Sequence, residues 1–575
     1  MLASDMTIGA PAPKPEGGAA PLRLGASRPR LRMDSVADGS RVAFGPNDRL
    51  VLRTVAAYRA ARAQYEDGTL DGAHFRMARI QAGVHLQRAP STRYMVRIKV
   101  PYGLLTVRQL RTLAAATRWG SPDLHLTTRQ AVEFHDVSLQ DTSALLTEMA
   151  AAGLPGWEAG GNSVRNVTGC PRLGTCPLQS FDPVPAAREI IRDFFADPAL
   201  EYLPRKIKVG ISGCAEDCAG IRLQDIGCLA WSRQGVPGFS VYVGGGIGAA
   251  PKLGECLAGF VPVPAMPALL KAVIRTFDRL GNRQNRHRAR LKWLVGEMGM
   301  AAFRGAVEEE YAAAGGLPLS WQIGETGLGR PAARAEVPPD ILGVDRAWLQ
   351  HCCHPERDGR WAVALAWPGG AVPPSAAAAL ADWAQSWGSG PVSITTRQEI
   401  IVHGVDQADL PELYAQIAAE RPEQVVPCVP VVSCPGAPYC NLAITHSGAL
   451  AQALAVALLD DARIHQAQRC PELTIRVAGC PHSCSHARFA ALGLIGGGAR
   501  LGSRMIPVYT LFLGGKEGLE PMAGVPTVRI PAKRVPEAVL RMLSEFRQTA
   551  AADESFVAWA IRRGILPARN RPAVQ

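Results

Sequence analysis

The chain has 575 residues, of which 47% are hydrophobic and 19% charged, and its formal net charge is +12. This composition excludes a disordered polymer and a coiled coil, and the length favours two or more packed units. No apolar run reaches the roughly 18 residues that span a bilayer, so we expect no membrane association. The positive charge should attract acidic partners, but no dense basic run or zinc finger indicates nucleic-acid binding.

Residues 1–46 are rich in Ala, Pro, Gly and Arg and lack the apolar segment of a signal peptide, so we predict a flexible tail and a cytoplasmic protein. Without a secretion signal, the 14 cysteines are not expected to form disulfides. Eight of them lie in patterned groups. The other six follow no ligand spacing and are predicted to be buried, inert thiols: Cys228, Cys256, Cys352, Cys353, Cys428 and Cys470.

The rest of the chain contains an internal repeat. HLTTRQAVEFHDV at 125–137 matches SITTRQEIIVHGV at 393–405, and in both copies apolar strands flank the Thr-Thr-Arg-Gln motif. Two cysteine-bearing segments and one glycine-rich strand end recur at nearly the same offset and in the same order. The four collinear matches predict a duplicated α+β unit.

Each copy begins with a strand–helix–strand–helix pattern, which is typical of a ferredoxin-like layer, and continues with a cysteine-bearing part in which strands and helices alternate. We place the boundaries as follows: the tail at 1–46, the half-domain of copy 1 at 47–158, its cysteine-bearing domain at 159–315, the linker and half-domain of copy 2 at 316–425, and its cysteine-bearing domain at 426–575.

Four cysteines of the second copy form a C-x5-C and C-x3-C pattern: Cys434, Cys440, Cys480 and Cys484. The last two follow a strand, where we predict that a helix begins, so that both sulfurs share one helix face. Four thiolates from two loops suit a [4Fe–4S] cluster or a zinc ion, and the five-residue gap fits the cluster better. Catalytic or inert thiols are the third interpretation.

Four cations of the first copy lie beside the shared motifs: Arg97, Arg165, Lys206 and Lys208. Any one of them would most often be a solvated surface charge. The second copy, however, has no cation at any of the four aligned positions, which are Ala364, Val429, Glu472 and Thr474. A general solubility role would not divide the copies in this way, so the pattern predicts a local anion site.

The chain from about residue 75 to residue 570 resembles the siroheme-containing sulfite and nitrite reductases, which are similarly duplicated. The residues that carry the resemblance are the two TTRQ segments, the run Arg165-Asn166-Val167, LPRKIK at 203–208 and the cysteine set that ends at Cys484. The resemblance implies that each copy is a ferredoxin-like half-domain followed by a siroheme/iron–sulfur α/β domain.

The same resemblance implies roles for particular residues. The four cysteines of copy 2 would hold a [4Fe–4S] cluster, and the Cys484 sulfur would bridge it to the siroheme iron. Arg129 would be a counter-ion for siroheme carboxylates. The four cations of copy 1 would surround the bound anion, so that the site is shared between the copies. This hypothesis requires Lys206 and Lys208 to lie near Cys484.

The implied reaction is an assimilatory-type six-electron reduction of sulfite to sulfide, and reduction of nitrite to ammonia is the alternative. We favour sulfite because Lys206 and Lys208 are both present, whereas nitrite-specialised members of the family often carry asparagine. A corrin-pathway monooxygenase and a non-catalytic siroheme or electron-transfer protein are less favoured. No flavin or nicotinamide motif is evident, so we expect an external donor, either an acidic ferredoxin or a flavoprotein subunit.

Two features depart from the family pattern. Four cysteines of copy 1 repeat the full ligand spacing, which single-cluster relatives usually lack: Cys170, Cys176, Cys214 and Cys218. They would either bind a second centre, which the missing cations predict to be non-catalytic, or be a relic of duplication. In addition, His125 and Glu133 stand where family members more often have Arg and Gln.

Overall fold

The computed structural model describes residues 38–321, 323–324, 326–327, 339–426, 429–437, 439–460, 473–551 and 554–567. Most of the predicted tail lies outside these ranges, as do Cys428, Cys470 and Glu472. None of the helices in the described ranges combines the length and the apolar character that a membrane span requires.

Within the described residues, strands and helices occur in both copies in the same general order. The strands of copy 1 are β1 (Val84–Leu86), β2 (Tyr94–Ile98), β3 (Leu104–Leu105), β4 (Leu124–Leu126), β5 (Val132–Val137), β6 (Thr168–Gly169), β7 (Val209–Ser212), β8 (Ile226–Arg233), β9 (Val236–Val243) and β10 (Glu255–Pro262). Its helices are α1 (Asp38–Arg41), α2 (Arg49–Glu66), α3 (Gly72–Gln81), α4 (Val107–Ala115), α5 (Thr142–Ala151), α6 (Val184–Ala196), α7 (Met266–Leu280), α8 (Leu291–Met298) and α9 (Met300–Ala313).

The second copy repeats the strand pattern with fewer helices in the described ranges. Its strands are β11 (Cys353–Pro355), β12 (Trp361–Ala366), β13 (Ala371–Val372), β14 (Val392–Ile394), β15 (Glu399–Val405), β16 (Val431–Ser433), β17 (Ile475–Ala478), β18 (Leu492–Leu501), β19 (Arg504–Leu513) and β20 (Val525–Pro531). Its helices are α10 (Arg346–Cys352), α11 (Pro374–Ser386), α12 (Leu410–Glu420), α13 (Ser447–Asp460), α14 (Val535–Thr549) and α15 (Phe556–Arg562).

Local sequence signals explain where several helices begin. The Asp48 side chain accepts a hydrogen bond from the Leu50 N–H and caps α2. Thr106 and Gln109 form a reciprocal capping box at the start of α4. Prolines occupy the first turn of α7 and of α14, where a missing N–H costs nothing.

The two half-domain sheets exchange strands between the copies. Their strand orders are β1-β2-β5-β4-β13 and β11-β12-β15-β14-β3, so each contains one strand from the other copy. Two glutamines of the TTRQ motifs lie at this junction. Gln130 Nε2 donates to the Ile394 carbonyl at 2.9 Å, and Gln398 Nε2 donates to the Leu126 carbonyl at 2.7 Å. The predicted duplicated α+β fold is confirmed, and the two copies are interlocked.

The other two sheets carry the cysteines, and each belongs to one copy. Their orders are β10-β9-β8-β7-β6 and β16-β17-β18-β19-β20. β6 and β7 are parallel with Thr168 opposite Gly210, and β16 and β17 are parallel with Val432 opposite Arg476. The cysteines follow the carboxyl ends of these four strands. Parallel strands place those ends at one edge of a sheet, which brings the two cysteine pairs of each copy together.

The end of the predicted tail belongs to the hydrophobic core. Val42, Ala43 and Phe44 are only 6%, 4% and 1% exposed, and the Phe44 ring centroid lies 4.9 Å from that of Phe195. The prediction of a flexible tail is therefore wrong for these residues, because three apolar residues suffice to anchor a segment whose composition is otherwise that of a tail. This core runs from Val42 through to α12, whereas the last domain has a core of its own.

Candidate active site

The segment that carries Cys480 and Cys484 is a turn. Within the described residues 473–551, β17 ends at Ala478 and the next helical element is a single 3-10 turn, Ala487–Phe489. The prediction that both sulfurs share a helix face is therefore wrong. Ser483 has a left-handed φ of 50°, and Cys484, which follows it, is exposed.

Backbone amides surround the cysteine sulfurs of the second copy. The Gly479 N–H donates to the Cys434 Sγ at 3.2 Å, and the Leu442 N–H donates to the Cys440 Sγ at 3.4 Å. Among the described residues, no three cysteine sulfurs lie within 4.8 Å of one another. Ligands at about 2.3 Å around one zinc ion would be only about 3.8 Å apart, whereas each cysteine of a [4Fe–4S] cluster binds a different iron. The spacing therefore favours a cluster over zinc.

Residues of the first copy contact the turn that carries Cys484. Thr128, in the first TTRQ motif, donates its hydroxyl to the Cys484 carbonyl at 3.0 Å. Lys206 and Lys208 are half-buried on either side of the buried Ile207, and both interact electrostatically with Cys484. The proximity that the sequence-based hypothesis requires is therefore present.

The environment of the two lysines disfavours their charged forms. Burial, followed by the nearby Arg129 and Arg290, lowers the pKa of Lys208 to about 7. Burial, followed by the neighbouring charges of Lys208 and Arg165, also lowers the pKa of Lys206. In both cases neighbouring cations add to the effect of burial, so an anion placed among these groups would be attracted strongly.

Arg165 and Arg129 are held by neutral acceptors. Arg165 donates to the carbonyls of Ala159 and Gly161 at 2.8 and 2.7 Å. Arg129 donates to the Gln224 side chain at 2.8 Å and to a backbone carbonyl at 2.6 Å. Neutral acceptors fix the orientation of a guanidinium and leave its charge available to a ligand.

Arg97, unlike Arg129 and Arg165, is paired with a carboxylate. Arg97 Nη2 lies 2.7 Å from Glu133 Oε1, and Glu133 is 3% exposed. Burial alone would raise the pKa of Glu133, but Arg97, His125 and His135 lower it to about 2. The ligand atoms of His125, Glu133 and His135 lie within 4.8 Å of one another. Burial lowers the pKa of His135 to about 3, so this imidazole is neutral at physiological pH.

Sequence reasoning missed Arg290 as a member of this group. Arg290 donates to both oxygens of the fully buried Asp225, with a shortest distance of 2.7 Å, and Asp225 also accepts from the Lys208 N–H at 2.9 Å. Arg290 interacts electrostatically with Lys206, Lys208 and other cations of the site. Its one sequence signal is the basic run RHRARLK at 286–292. We call Arg97, Arg129, Arg165, Lys206, Lys208 and Arg290 the cation cluster.

The four patterned cysteines of copy 1 also come together. The Cys170 thiol lies beside that of Cys218, and the Cys176 thiol lies beside that of Cys214. Of the six cysteines without ligand spacing, those within the described residues are buried (Cys228 and Cys353) or half-buried (Cys256 and Cys352).

Comparisons with known proteins place this arrangement in a family. The family model for a nitrite and sulphite reductase 4Fe-4S domain matches residues 160–314, and that for the nitrite/sulfite reductase ferredoxin-like half domain matches residues 85–152 and 354–420. The chain is 30% identical over 518 residues to an assimilatory ferredoxin-dependent nitrite reductase of Haloferax mediterranei, covering 84% of each chain. The chain belongs to the nitrite and sulfite reductase family.

Other relatives include both kinds of enzyme. A sulfite reductase [ferredoxin] of Mycobacterium tuberculosis is 27% identical over 485 residues, covering 82% of each chain. The solved structure of the Mycobacterium tuberculosis NirA protein is 25% identical, with a TM-score of 0.75 over 92% of this chain and 98% of that one. As a member of this family, the protein is an oxidoreductase whose cofactors are siroheme and a [4Fe–4S] cluster.

The residues present fit both cofactors. Several buried polar atoms around the cation cluster have no hydrogen-bond partner within the described residues: His85 Nε2, His125 Nε2, both ring nitrogens of His135, Arg129 Nε and Arg165 Nε. Buried polar groups are normally satisfied, so this concentration indicates a missing polar partner. Siroheme carries many carboxylates, which such donors would bind. The cysteines of copy 2 interact electrostatically with one another, so their sulfurs lie together as the ligands of one cluster would.

Proposed function

We propose that this protein catalyses the six-electron reduction of sulfite to sulfide. The observation that carries the proposal is the convergence of the cation cluster of copy 1 on Cys484 of copy 2. Thr128 contacts the Cys484 backbone, and Lys206 and Lys208 interact with its thiol. A site that gathers so many cations beside a thiolate suits an anionic substrate that is reduced.

The cofactor ligands follow from the same geometry. Cys434, Cys440, Cys480 and Cys484 would hold the cluster, and the exposed Cys484, which interacts electrostatically with Lys206 and Lys208, would also hold siroheme. Arg129 would serve as a counter-ion for siroheme carboxylates. When bound, these cofactors supply the iron that takes the substrate and the electrons that reduce it.

The protein's own side chains would bind the oxyanion and supply protons. Arg165 and Arg97 stay charged and act electrostatically, since a guanidinium is not deprotonated in this pH range. Lys208, with a pKa of about 7, can hold a proton and also release it near neutral pH. Lys206 and Lys208 would therefore give protons to the oxygens that leave the substrate, directly or through water.

The charge of the cluster favours sulfite, which is a dianion when fully deprotonated. Keeping two partly desolvated lysines charged costs free energy. A substrate with two negative charges offsets this free energy better than a substrate with one. Nitrite is the second candidate because the Arg97–Glu133 ion pair removes one positive charge from the cluster. The relatives above include a nitrite reductase and a sulfite reductase, which is consistent with either substrate.

A ferredoxin is the proposed electron donor. The names of the nitrite and sulfite reductases above both include ferredoxin. Ferredoxins are usually acidic, and the net charge of +12 would steer an acidic protein towards this chain.

Replacement of one lysine tests the substrate preference. Lys208→Asn removes a charge without adding bulk, and we expect sulfite turnover to fall by about 10² to 10³, with a smaller loss for nitrite. Lys533→Asn is the matched control, because Lys533 is exposed in the last domain. Steady-state rates with each anion and a reduced viologen measure the effect. An equal loss for both anions would count against the preference for sulfite.

A further inference from the structure

The cysteines of copy 1 lie in the same backbone frame as those of copy 2. Cys170 and Cys214 follow the parallel strands β6 and β7, as Cys434 and Cys480 follow β16 and β17. In each copy the residue before the fourth cysteine has a left-handed φ, 48° at Asp217 and 50° at Ser483. Non-glycine residues rarely adopt this conformation, so its retention in both copies indicates a common constraint.

The placement of backbone amides beside sulfur is also repeated. The Leu178 amide lies beside the Cys176 sulfur, and the Leu442 N–H, at the same offset, donates to the Cys440 sulfur at 3.4 Å. The same two-residue offset recurs at the third cysteine of each copy: Glu216 to Cys214, and His482 to Cys480. Hydrogen bonds from backbone N–H groups to cysteine sulfur are a general feature of iron–sulfur sites, where they tune the reduction potential of the cluster.

A guanidinium lies beside this set of sulfurs. Arg172 interacts electrostatically with Cys170, Cys176 and Cys218. Cys218 is exposed, as Cys484 is. No three of the described cysteine sulfurs fall within 4.8 Å, which again argues against a single zinc ion.

The residue pair of copy 2 that corresponds to Arg97 and Glu133 is apolar. In copy 1, Arg97 lies opposite Glu133 across β2 and β5. In copy 2, the equivalent pair across β12 and β15 is Ala364 opposite Ile401, and both side chains belong to a small buried hydrophobic cluster. A tetrapyrrole rich in carboxylates would find no counter-ion at this pair.

The copy-2 histidine that corresponds to His135 has hydrogen-bond partners that His135 lacks. His403 aligns with His135, and it is hydrogen-bonded to Ser393 at 2.8 Å and to Glu356 at 2.7 Å. His135 has no such partner among the described residues. The imidazole of copy 2 therefore has no ring nitrogen left for a cofactor.

A buried arginine further closes this region. Arg476 occupies the β17 position that is Gly210 in β7, and it is 2% exposed. It donates to the Ser485 carbonyl at 3.0 Å and to Glu517 at 2.6 Å, and Glu517 also pairs with His486 at 3.3 Å. A side chain and its ion pair thus stand where copy 1 has only a glycine.

We propose that Cys170, Cys176, Cys214 and Cys218 bind a second [4Fe–4S] cluster that carries no tetrapyrrole. The four cysteines of copy 1 have the full backbone arrangement of those in copy 2. In copy 2, Ala364, Val429 and Thr474 replace the cations Arg97, Arg165 and Lys208, although Arg397 is retained as the counterpart of Arg129. His403 has no free ring nitrogen, and Arg476 stands at the position of Gly210. The second cluster is therefore an electron-transfer centre, which accepts one electron when dithionite reduces it from the 2+ to the 1+ state. This inference does not depend on which oxyanion the enzyme reduces.

Metal analysis of the intact protein tests the proposal. Anaerobically purified protein with its cofactors should contain about eight non-haem irons and eight acid-labile sulfides per siroheme, because two [4Fe–4S] clusters are present. Four irons per siroheme after complete cluster reconstitution, or one zinc per chain, would overturn it. This measurement needs no variant, so it decides the question even if a substituted protein fails to fold.

A double variant locates the second cluster. In Cys214→Ser/Cys218→Ser we expect iron to fall by about four per siroheme, with the siroheme absorption spectrum unchanged. The magnetic resonance signal of the dithionite-reduced protein should lose the part that is not coupled to siroheme. Cys256→Ser, at a half-buried cysteine outside the set, is the matched control and should keep all the iron. Unchanged iron in the double variant would contradict the assignment.

Discussion

The ion pair between Arg97 and Glu133 should restrain binding of a dianion. Glu133 is buried beside the cation cluster, and its pKa of about 2 keeps it negatively charged at any assay pH near neutrality. Glu133→Gln removes this charge and keeps an oxygen that can accept the Arg97 hydrogen bond. We expect the substitution to favour sulfite over nitrite.

The size of the effect follows from the geometry. Glu133 lies 2.7 Å from the Arg97 guanidinium. An anion hydrogen-bonded to the far side of the guanidinium would lie roughly 8 Å from the carboxylate, because the width of the guanidinium and the length of one more hydrogen bond separate them. At an effective dielectric constant of about 20, the repulsion is about 2 kcal/mol per unit of substrate charge. A dianion would gain about 2 kcal/mol more than a monoanion, which corresponds to a change of about thirtyfold in relative kcat/KM.

The assay compares kcat/KM for sulfite and nitrite with one artificial donor, so that ferredoxin binding does not enter. Glu399→Gln is the matched control, since Glu399 lies 3.7 Å from Arg397 in the corresponding strand of copy 2. The control should leave the ratio unchanged. A Glu133→Gln ratio equal to that of the wild type, or shifted towards nitrite, would refute the electrostatic reasoning.

Two further predictions concern pH and stability. Because Lys208 has a pKa of about 7, the KM for nitrite, which stays a monoanion, should rise as pH increases through 7 and the lysine loses its charge. In Lys208→Arg this rise should disappear from the KM–pH profile. Gln398→Ala removes three buried hydrogen bonds of 2.7–2.9 Å, to the Leu126 carbonyl and to both backbone groups of Ser433. It should lower the free energy of unfolding by about 3 kcal/mol, whereas the exposed Gln548→Ala should change it by less than about 0.5 kcal/mol in a denaturant titration.

The repeat predicted the duplicated fold, the cysteine spacing predicted a metal centre, and the resemblance to the family implied a site shared between the copies. The repeat and the cysteine spacing are patterns of residue types at fixed offsets. Such patterns can be recognised in the sequence without knowledge of the tertiary structure. Lys206 and Lys208 were found because copy 2 lacks them. Arg290 was missed because it has no equivalent motif in copy 2 and is positioned by Asp225, which lies 65 positions away in the chain.

The strand exchange and the Cys480 turn could not be predicted in the same way. β3 and β13 have two residues each, too few to show any periodicity. A spacing of four between Cys480 and Cys484 is compatible with a helix, but the left-handed Ser483 ends any helical path between them. Only the packed structure shows that tertiary contacts, rather than helix geometry, place these sulfurs.

The exchanged strands have a consequence for how the molecule comes apart. A chain cut between α9 and α10 would yield two pieces, each lacking one strand that completes its own half-domain sheet. Each piece alone would expose an unpaired sheet edge, which favours aggregation. Co-expressed pieces, however, should assemble into one heterodimer. The covalent connection between the two copies should therefore be dispensable, whereas each copy should need the other in order to fold.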